Sequence, residues 1–367
     1  MRRLSLAILA LLAPAAALAE VSLHRIETVP AQPRPGEPFQ IKVTGSWPNT
    51  CPLQLLPVAI SGANIDVAVR QGDVICGEAI TPFSVSFDPS AAGGSGFPAE
   101  RDYRVRFSVR DSAGNPTLLA FKLVGVDRID SRTVQPEAGF WAPDTAGEFV
   151  SPNGGIGFMI ERQGATLAVT TNTYELNGQP TWYLSAGAIS GSAFHGDLLR
   201  SVGGQPLFGT YRGPQFVTPV GTLDIEFLSD SRATLWYAKA SDGSILAPLE
   251  MTTISARRMN FALPDNGRAL AGSWALTSTA HLSTVQTRDV RLTFAADRSS
   301  ATEAVLVDTR QGFELRCSLD PLRRDGPPHM CILSSGGAEI GRFDNNALAR
   351  LSGKRGSDAI LMVRVGD

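Results

Sequence analysis

The feature that most constrains this chain is a period-two alternation of apolar and polar residues that returns again and again. It runs through Phe39, Ile41 and Val43, through Ile65, Val67 and Val69, through Phe83, Val85 and Phe87, and through Tyr103, Val105, Phe107 and Val109. Between members of the last set stand Arg104, Arg106 and Ser108. A helix would scatter such residues around its axis, whereas a strand places every second side chain on one face, so each run predicts a strand with one buried and one wet side. The 36 glycines and 24 prolines among 367 residues exceed the usual combined share of ~12% and supply the many turns that such strands need.

Further runs at 21–26, 53–60 and 117–126 bring the count to about seven strands, which predicts an immunoglobulin-like β-sandwich over residues 20–126. A polar stretch at 127–137 reads as a linker. The region 138–256 predicts an eight-strand β-meander that closes into an up-and-down barrel, because closure removes exposed sheet edges. After a second linker at 257–269, residues 270–367 predict a smaller, disulfide-stapled β barrel or roll. Its opening, Ala271-Gly272-Ser273-Trp274-Ala275, echoes Ala138-Gly139-Phe140-Trp141-Ala142, as if one strand opening were duplicated. Only the leader and the stretch Asn346–Leu351 look helical, so the fold class is all-β.

Two hairpins in the middle region carry the aromatic residues. Asn177-Gly178 is a strong two-residue turn signal that pairs Leu176 with Gln179. That register sets Thr173 against Trp182 and Thr171 against Leu184, with Trp182 inward and Tyr183 outward beside Tyr174. A tight turn at Asp230-Ser231 likewise sets Ile225 against Trp236 and Asp224 against Tyr237, again turning the indole in and the phenol out. Asp242-Gly243 marks a further hairpin. Trp141, Trp182, Trp236 and Trp274 are then core residues, or, for Trp141, Trp182 and Trp236, the lining of a ligand cavity such as an eight-strand barrel can hold. Tyr174, Tyr183 and Tyr237 form an outward surface able to stack on a sugar or dock a protein.

Arg2 and Arg3 before an apolar run ending in Ala17-Leu18-Ala19 predict a cleaved signal peptide at 1–19 and a periplasmic or secreted location. No later apolar run is long enough for a membrane helix, so the chain is not expected to span a membrane. In an oxidising compartment the four cysteines form disulfides, and the simplest pairing is local, Cys51 to Cys76 and Cys317 to Cys331. No Cys-x-x-Cys spacing points to zinc.

Catalytic signatures are missing. No serine sits in a G-x-S-x-G elbow, and His24, His195, His281 and His329 lack the paired spacing of a metalloprotease helix. The glycines of Asn153-Gly154-Gly155-Ile156-Gly157 lack a following lysine and helix. Asp224, Glu226 and Asp230 read as a solvated strand face. With 33 basic against 35 acidic residues the chain is no nucleic-acid binder. The reading assigns no metal and no cofactor.

Gly139-x-Trp141, Asn172-Thr173-Tyr174 and Asn177-Gly178-Gln179-Pro180-Thr181-Trp182-Tyr183 together resemble a tryptophan-rich β module of exported bacterial proteins. The resemblance implies neither an activity nor a ligand. Gly-x-Trp at a barrel start is also similar to lipocalins, from which nothing is carried over. The expected function is non-catalytic binding or adhesion in the envelope or outside the cell, toward a small ligand, a glycan or an envelope protein. A hydrolase with a dispersed site and a passive scaffold are the alternatives.

Overall fold

A computed structural model describes residues 24–366, apart from 73, 100, 127–133, 145–154, 176, 242–243, 260–265, 281–283 and 320–327. The signal-peptide expectation and the Asp242-Gly243 turn therefore lie outside the described residues. The fold is all-β, as the alternation requires, and it contains two closed barrels.

The first module has strands β1 (Arg25–Val29), β2 (Gln40–Trp47), β3 (Leu53–Leu55), β4 (Ala59–Ser61), β5 (Asn64–Gln71), β6 (Thr81–Phe87), β7 (Tyr103–Arg110) and β8 (Pro116–Val124). One sheet has the order β1-β2-β6; the other runs β3-β5-β7-β8, with β4 also paired to β5. The alternating residues behave as the pattern demands. Ile41, Val43, Ile65, Val67, Val105 and Phe107 are all fully buried in one core between the sheets. The pairing of β5 with β7 is parallel, a departure from the antiparallel pattern of immunoglobulin domains. Cys51 is bonded to Cys76.

The second module is a closed barrel of β9 (Gly139–Pro143), β10 (Gly157–Gln163), β11 (Thr166–Tyr174), β12 (Pro180–Ser190), β13 (Ala193–Val202), β14 (Phe216–Ser229), β15 (Arg232–Ala240) and β16 (Leu249–Arg258). Every described neighbour is antiparallel, and β16 closes on β9. The third module repeats this arrangement with β17 (Gly272–Ala280), β18 (Thr284–Phe294), β19 (Glu303–Asp308), β20 (Phe313–Ser318), β21 (Met330–Ser335), β22 (Ala338–Asn346), β23 (Arg350–Arg355) and β24 (Asp358–Gly366). It is thus a full eight-strand barrel closed by β17 and β24. Cys317 lies directly opposite Cys331 across β20 and β21, and their disulfide is buried in the core.

The echoed Gly-x-Trp opens each barrel and closes it by the same device. Trp141 and Trp274 are fully buried, and each indole Nε1 donates to the carbonyl four residues earlier, at 3.0 Å to Glu137 and 2.9 Å to Leu270. Each faces an arginine on the last strand, Trp141 opposite Arg258 and Trp274 opposite Arg364. Gly139 and Gly272 adopt φ of 122° and 139°, and a Cβ on Gly139 would lie 2.8 Å from the Arg258 guanidinium. The guanidinium groups also cap the entering chain. Arg258 Nε donates to the Ala138 carbonyl at 3.1 Å, and Arg364 donates to Ala269 and Ala271 at 2.8 Å each. Arg257 and Arg258, read from sequence as linker, are therefore strand residues.

The helical expectation at Asn346–Leu351 is overturned. Asn346 ends β22, and β23 begins at Arg350, because Ala347 N bonds back to the Arg350 carbonyl in a strand-to-strand turn. That turn holds the two barrels together. Asp230, on the β14–β15 turn of the first barrel, is fully buried and accepts from Gln135 N at 2.7 Å and Arg350 Nη1 at 2.5 Å. Its own N–H donates to Asn345 at 2.9 Å. Both barrels carry their apolar residues inward, whereas membrane barrels carry an apolar band outward. Among the described residues no helix is long and apolar enough to cross a membrane.

Candidate functional site

The β11–β12 hairpin sets the site, and it does so in a register one residue away from the sequence expectation. Gln179 is paired with Glu175, whose N–H donates to the Gln179 carbonyl at 2.9 Å, and Gly178 N–H donates back to the Glu175 carbonyl at 2.8 Å; Leu176 itself lies outside the described residues. Gly178 takes φ of 79°, the left-handed position that ends a three-residue hairpin loop. Because side chains alternate with period two, one extra loop residue turns every side chain of β12 to the other face. Asn172 faces Trp182, and Thr171 faces Tyr183. Trp182 is consequently outward and 46% exposed, while Tyr183 is inward and buried.

The β14–β15 hairpin shows the same inversion for a different reason. Ser229 does pair with Arg232 around the Asp230-Ser231 turn, but a bulge between Phe227 and Ser229 shifts the remaining register. Asp224 thus faces Trp236 and Leu223 faces Tyr237. Tyr237 points inward, stacks on Phe158 at 6.1 Å and shares a 2.8 Å hydrogen bond with the Thr171 hydroxyl. Burial pushes its phenol well above the ordinary tyrosine range. Trp236 points outward but is buried beneath Phe121 and Leu123 of β8, with the Arg104 guanidinium 5.3 Å above its ring.

Trp141 is inward, as expected. With Phe158, Phe194, Phe227 and Leu235 it belongs to one packed core cluster inside the first barrel, so its indole is enclosed by side chains. Trp182 and Trp236 line no cavity inside the barrel because neither points inward. Of the three tyrosines expected outside, Tyr174 alone is there, 53% exposed.

The rim of the barrel near the β11–β12 turn has a charged inner lip. Tyr183 donates to Glu175 Oε1 at 2.8 Å, and Glu175 lies 3.7 Å from both Arg200 and Lys239. Burial and the adjoining carboxylate push the Tyr183 phenol up to about 12. On the outer side of the same rim, Asn172, Thr173, Tyr174, Pro180, Thr181 and Trp182 line a groove of about 280 Å³. Asn172 and Pro180 stand in the sequence motifs that carry the resemblance, but only the correct register makes them the cross-strand partners of Trp182 and Tyr174.

Asp224 and Asp230 are not solvated, contrary to the sequence reading. They do face away from the barrel interior, but neighbouring modules cover them. Asp224 accepts from Leu123 N at 2.7 Å and from His195 Nδ1 at 2.8 Å, joining the first module's β8 to the barrel. A His–Asp pair invites a hydrolytic reading, but the other nitrogen of His195 has no partner among the described residues, and a hydrolase would place its nucleophile there. His24 is likewise a joint: its Nε2 meets the Ile245 carbonyl at 3.0 Å, and burial lowers its pKa. His329 lies 2.8 Å from Arg232, and His281 lies outside the described residues.

A larger groove of about 550 Å³ lies on the outward face of the β3-β5-β7-β8 sheet, floored by Ala68, Ser108 and Leu118. Its arginines are already engaged, Arg106 with Asp66 at 2.6 Å and Arg110 with the Gly114 carbonyl at 2.9 Å. Among the described residues no group of three or more His, Cys, Asp or Glu is placed to hold a metal ion. The fold and the rim groove together define a two-barrel β protein with an aromatic outer ribbon. No protein-family model, curated protein or solved structure matches the chain.

Proposed function

We propose that this protein is an exported, non-catalytic binding or adhesion protein of the bacterial envelope or extracellular space, and that the Tyr174–Trp182 ribbon is its contact surface. One observation carries the reading. Trp47, Trp141, Trp236 and Trp274 are buried, while Trp182 stands 46% exposed on a paired, regular strand. A large aromatic left in water on a rigid scaffold is the residue type that dominates recognition surfaces. Two disulfides support an oxidising compartment. The first module, a two-sheet β-sandwich, and the second barrel act as supports. They grip the first barrel through Asp224 and Asp230 and leave the β11–β12 rim free.

Retention on bacterial envelope preparations tests this. The mature protein is expected to be retained, and the double variant Tyr174→Ala, Trp182→Ala to be retained at least tenfold less at an unchanged melting temperature. Equal retention of both proteins removes the ribbon from the reading, and no retention of the wild type removes adhesion itself.

A further inference from the structure

We infer that the groove between Tyr174 and Trp182 binds an uncharged saccharide. This rests on the binding reading above and names its ligand class. The β11–β12 ribbon brings together what a sugar ring needs. Asn172 stands opposite Trp182, Tyr174 opposite Pro180, and Thr173 opposite Thr181, all around one recess of about 280 Å³. A pyranose has apolar C–H faces and a rim of hydroxyls that both donate and accept. The indole and phenol rings offer flat apolar faces for the first, each carrying a polar handle. For the second, the outward face holds the Asn172 amide, the Tyr174 hydroxyl and the Trp182 N–H. None of these three groups is hydrogen-bonded to any described residue, so all are free to meet a ligand.

The other ligand classes meet obstacles. Among the described residues no charged side chain lines the recess, and the adjacent Glu175 is on the inner lip, balanced by Arg200 and Lys239. A phosphate backbone or an acidic peptide therefore finds no counter-charge. A peptide joining as an extra strand needs a long unpaired edge, but at this rim β11 is open only at Thr173 and Tyr174 and β12 only at Pro180, Thr181 and Trp182. A lipid tail needs an apolar interior, and at this rim the barrel turns the hydroxyls of Thr171, Tyr183 and Tyr237 inward. The recess lies just below the range of about 300–1,000 Å³ typical of small-molecule sites, which suits one or two sugar units of a longer chain.

Because the other four tryptophans are buried, Trp182 is the indole that an aqueous quencher reaches first. Acrylamide quenching is measured on the full chain with maltohexaose, cellohexaose and chitohexaose, and with decaproline as the peptide arm. At least one hexasaccharide is expected to protect the fluorescence. Its affinity, measured by calorimetry, is expected to fall at least tenfold in Trp182→Ala and in Tyr174→Ala, and several-fold in Asn172→Ala, at unchanged melting temperatures. Silence of all three saccharides overturns the inference, as does saccharide binding that Trp182→Ala leaves intact. Binding of decaproline alone, lost in Trp182→Ala, overturns the sugar while leaving the ribbon as a binding surface. So does envelope retention that still needs Trp182 when the saccharides are silent.

Discussion

The two barrels share strand number, direction and closing device, and they differ in what faces inward. In the second barrel Trp274, Leu276, Leu315, Phe343 and Met362 pack around a buried disulfide. In the first, apolar packing fills one end around Trp141, but Thr171, Tyr183, Ser185 and Tyr237 bring hydroxyls inward toward the β11–β12 rim. Ser185 Oγ is buried without a partner in the first barrel, and Asn346 Oδ1 at the end of β22 in the second. The difference teaches that one architecture has been tuned twice. The second barrel is a covalently stapled support. The first gives up apolar core at one end, and at that end its aromatic side chains are exposed.

The shared device provides the strongest test of that comparison. Trp141→Ala and Trp274→Ala should each cost about 3–5 kcal/mol, because both remove a fully buried indole that closes its barrel. Chemical denaturation followed by circular dichroism measures this, and a marked inequality between the two variants would show that the echo is not a common closure. A smaller effect should separate the barrels. Replacing Cys317 and Cys331 together by serine should lower stability by about 3 kcal/mol through the lost 14-residue loop constraint. Reducing agent should then no longer affect the third module, whereas it should still affect Cys51–Cys76. The smallest change concerns the polar end of the first barrel. Tyr237→Phe deletes the 2.8 Å bond to Thr171 and should cost about 1 kcal/mol; a neutral result would mean that the inward hydroxyls are solvated.

Much of the architecture is legible in residue order alone. The alternation of Ile65, Val67 and Val69, or of Phe313, Leu315 and Cys317, is a local property, and it is enough to identify strands and their buried faces. Local pairing of the cysteines follows from sequence distance, and both bonds are found. The Gly-x-Trp echo marks both barrel starts correctly, although its arginine partners lie 117 residues from Trp141 in the first barrel and 90 from Trp274 in the second, too far to be noticed. The candidate site is less legible. Trp182 and Tyr183 exchange faces because the loop holds one residue more than the Asn-Gly signal implies, and Trp236 and Tyr237 because of one bulge. Each error is a single residue, but in a strand a single residue decides between core and solvent.

What the sequence by itself determined is the class of structure: which segments are strands, which face of most strands is apolar, and where the cysteines join. Only the tertiary structure decided which tryptophan meets water, and that Asp224 and Asp230 clamp modules together instead of facing solvent. The physical reason is range. Alternation is written in nearest neighbours, whereas register, bulges and the covering of one module by another depend on residues far apart in the chain, whose contacts exist only once the barrels have closed.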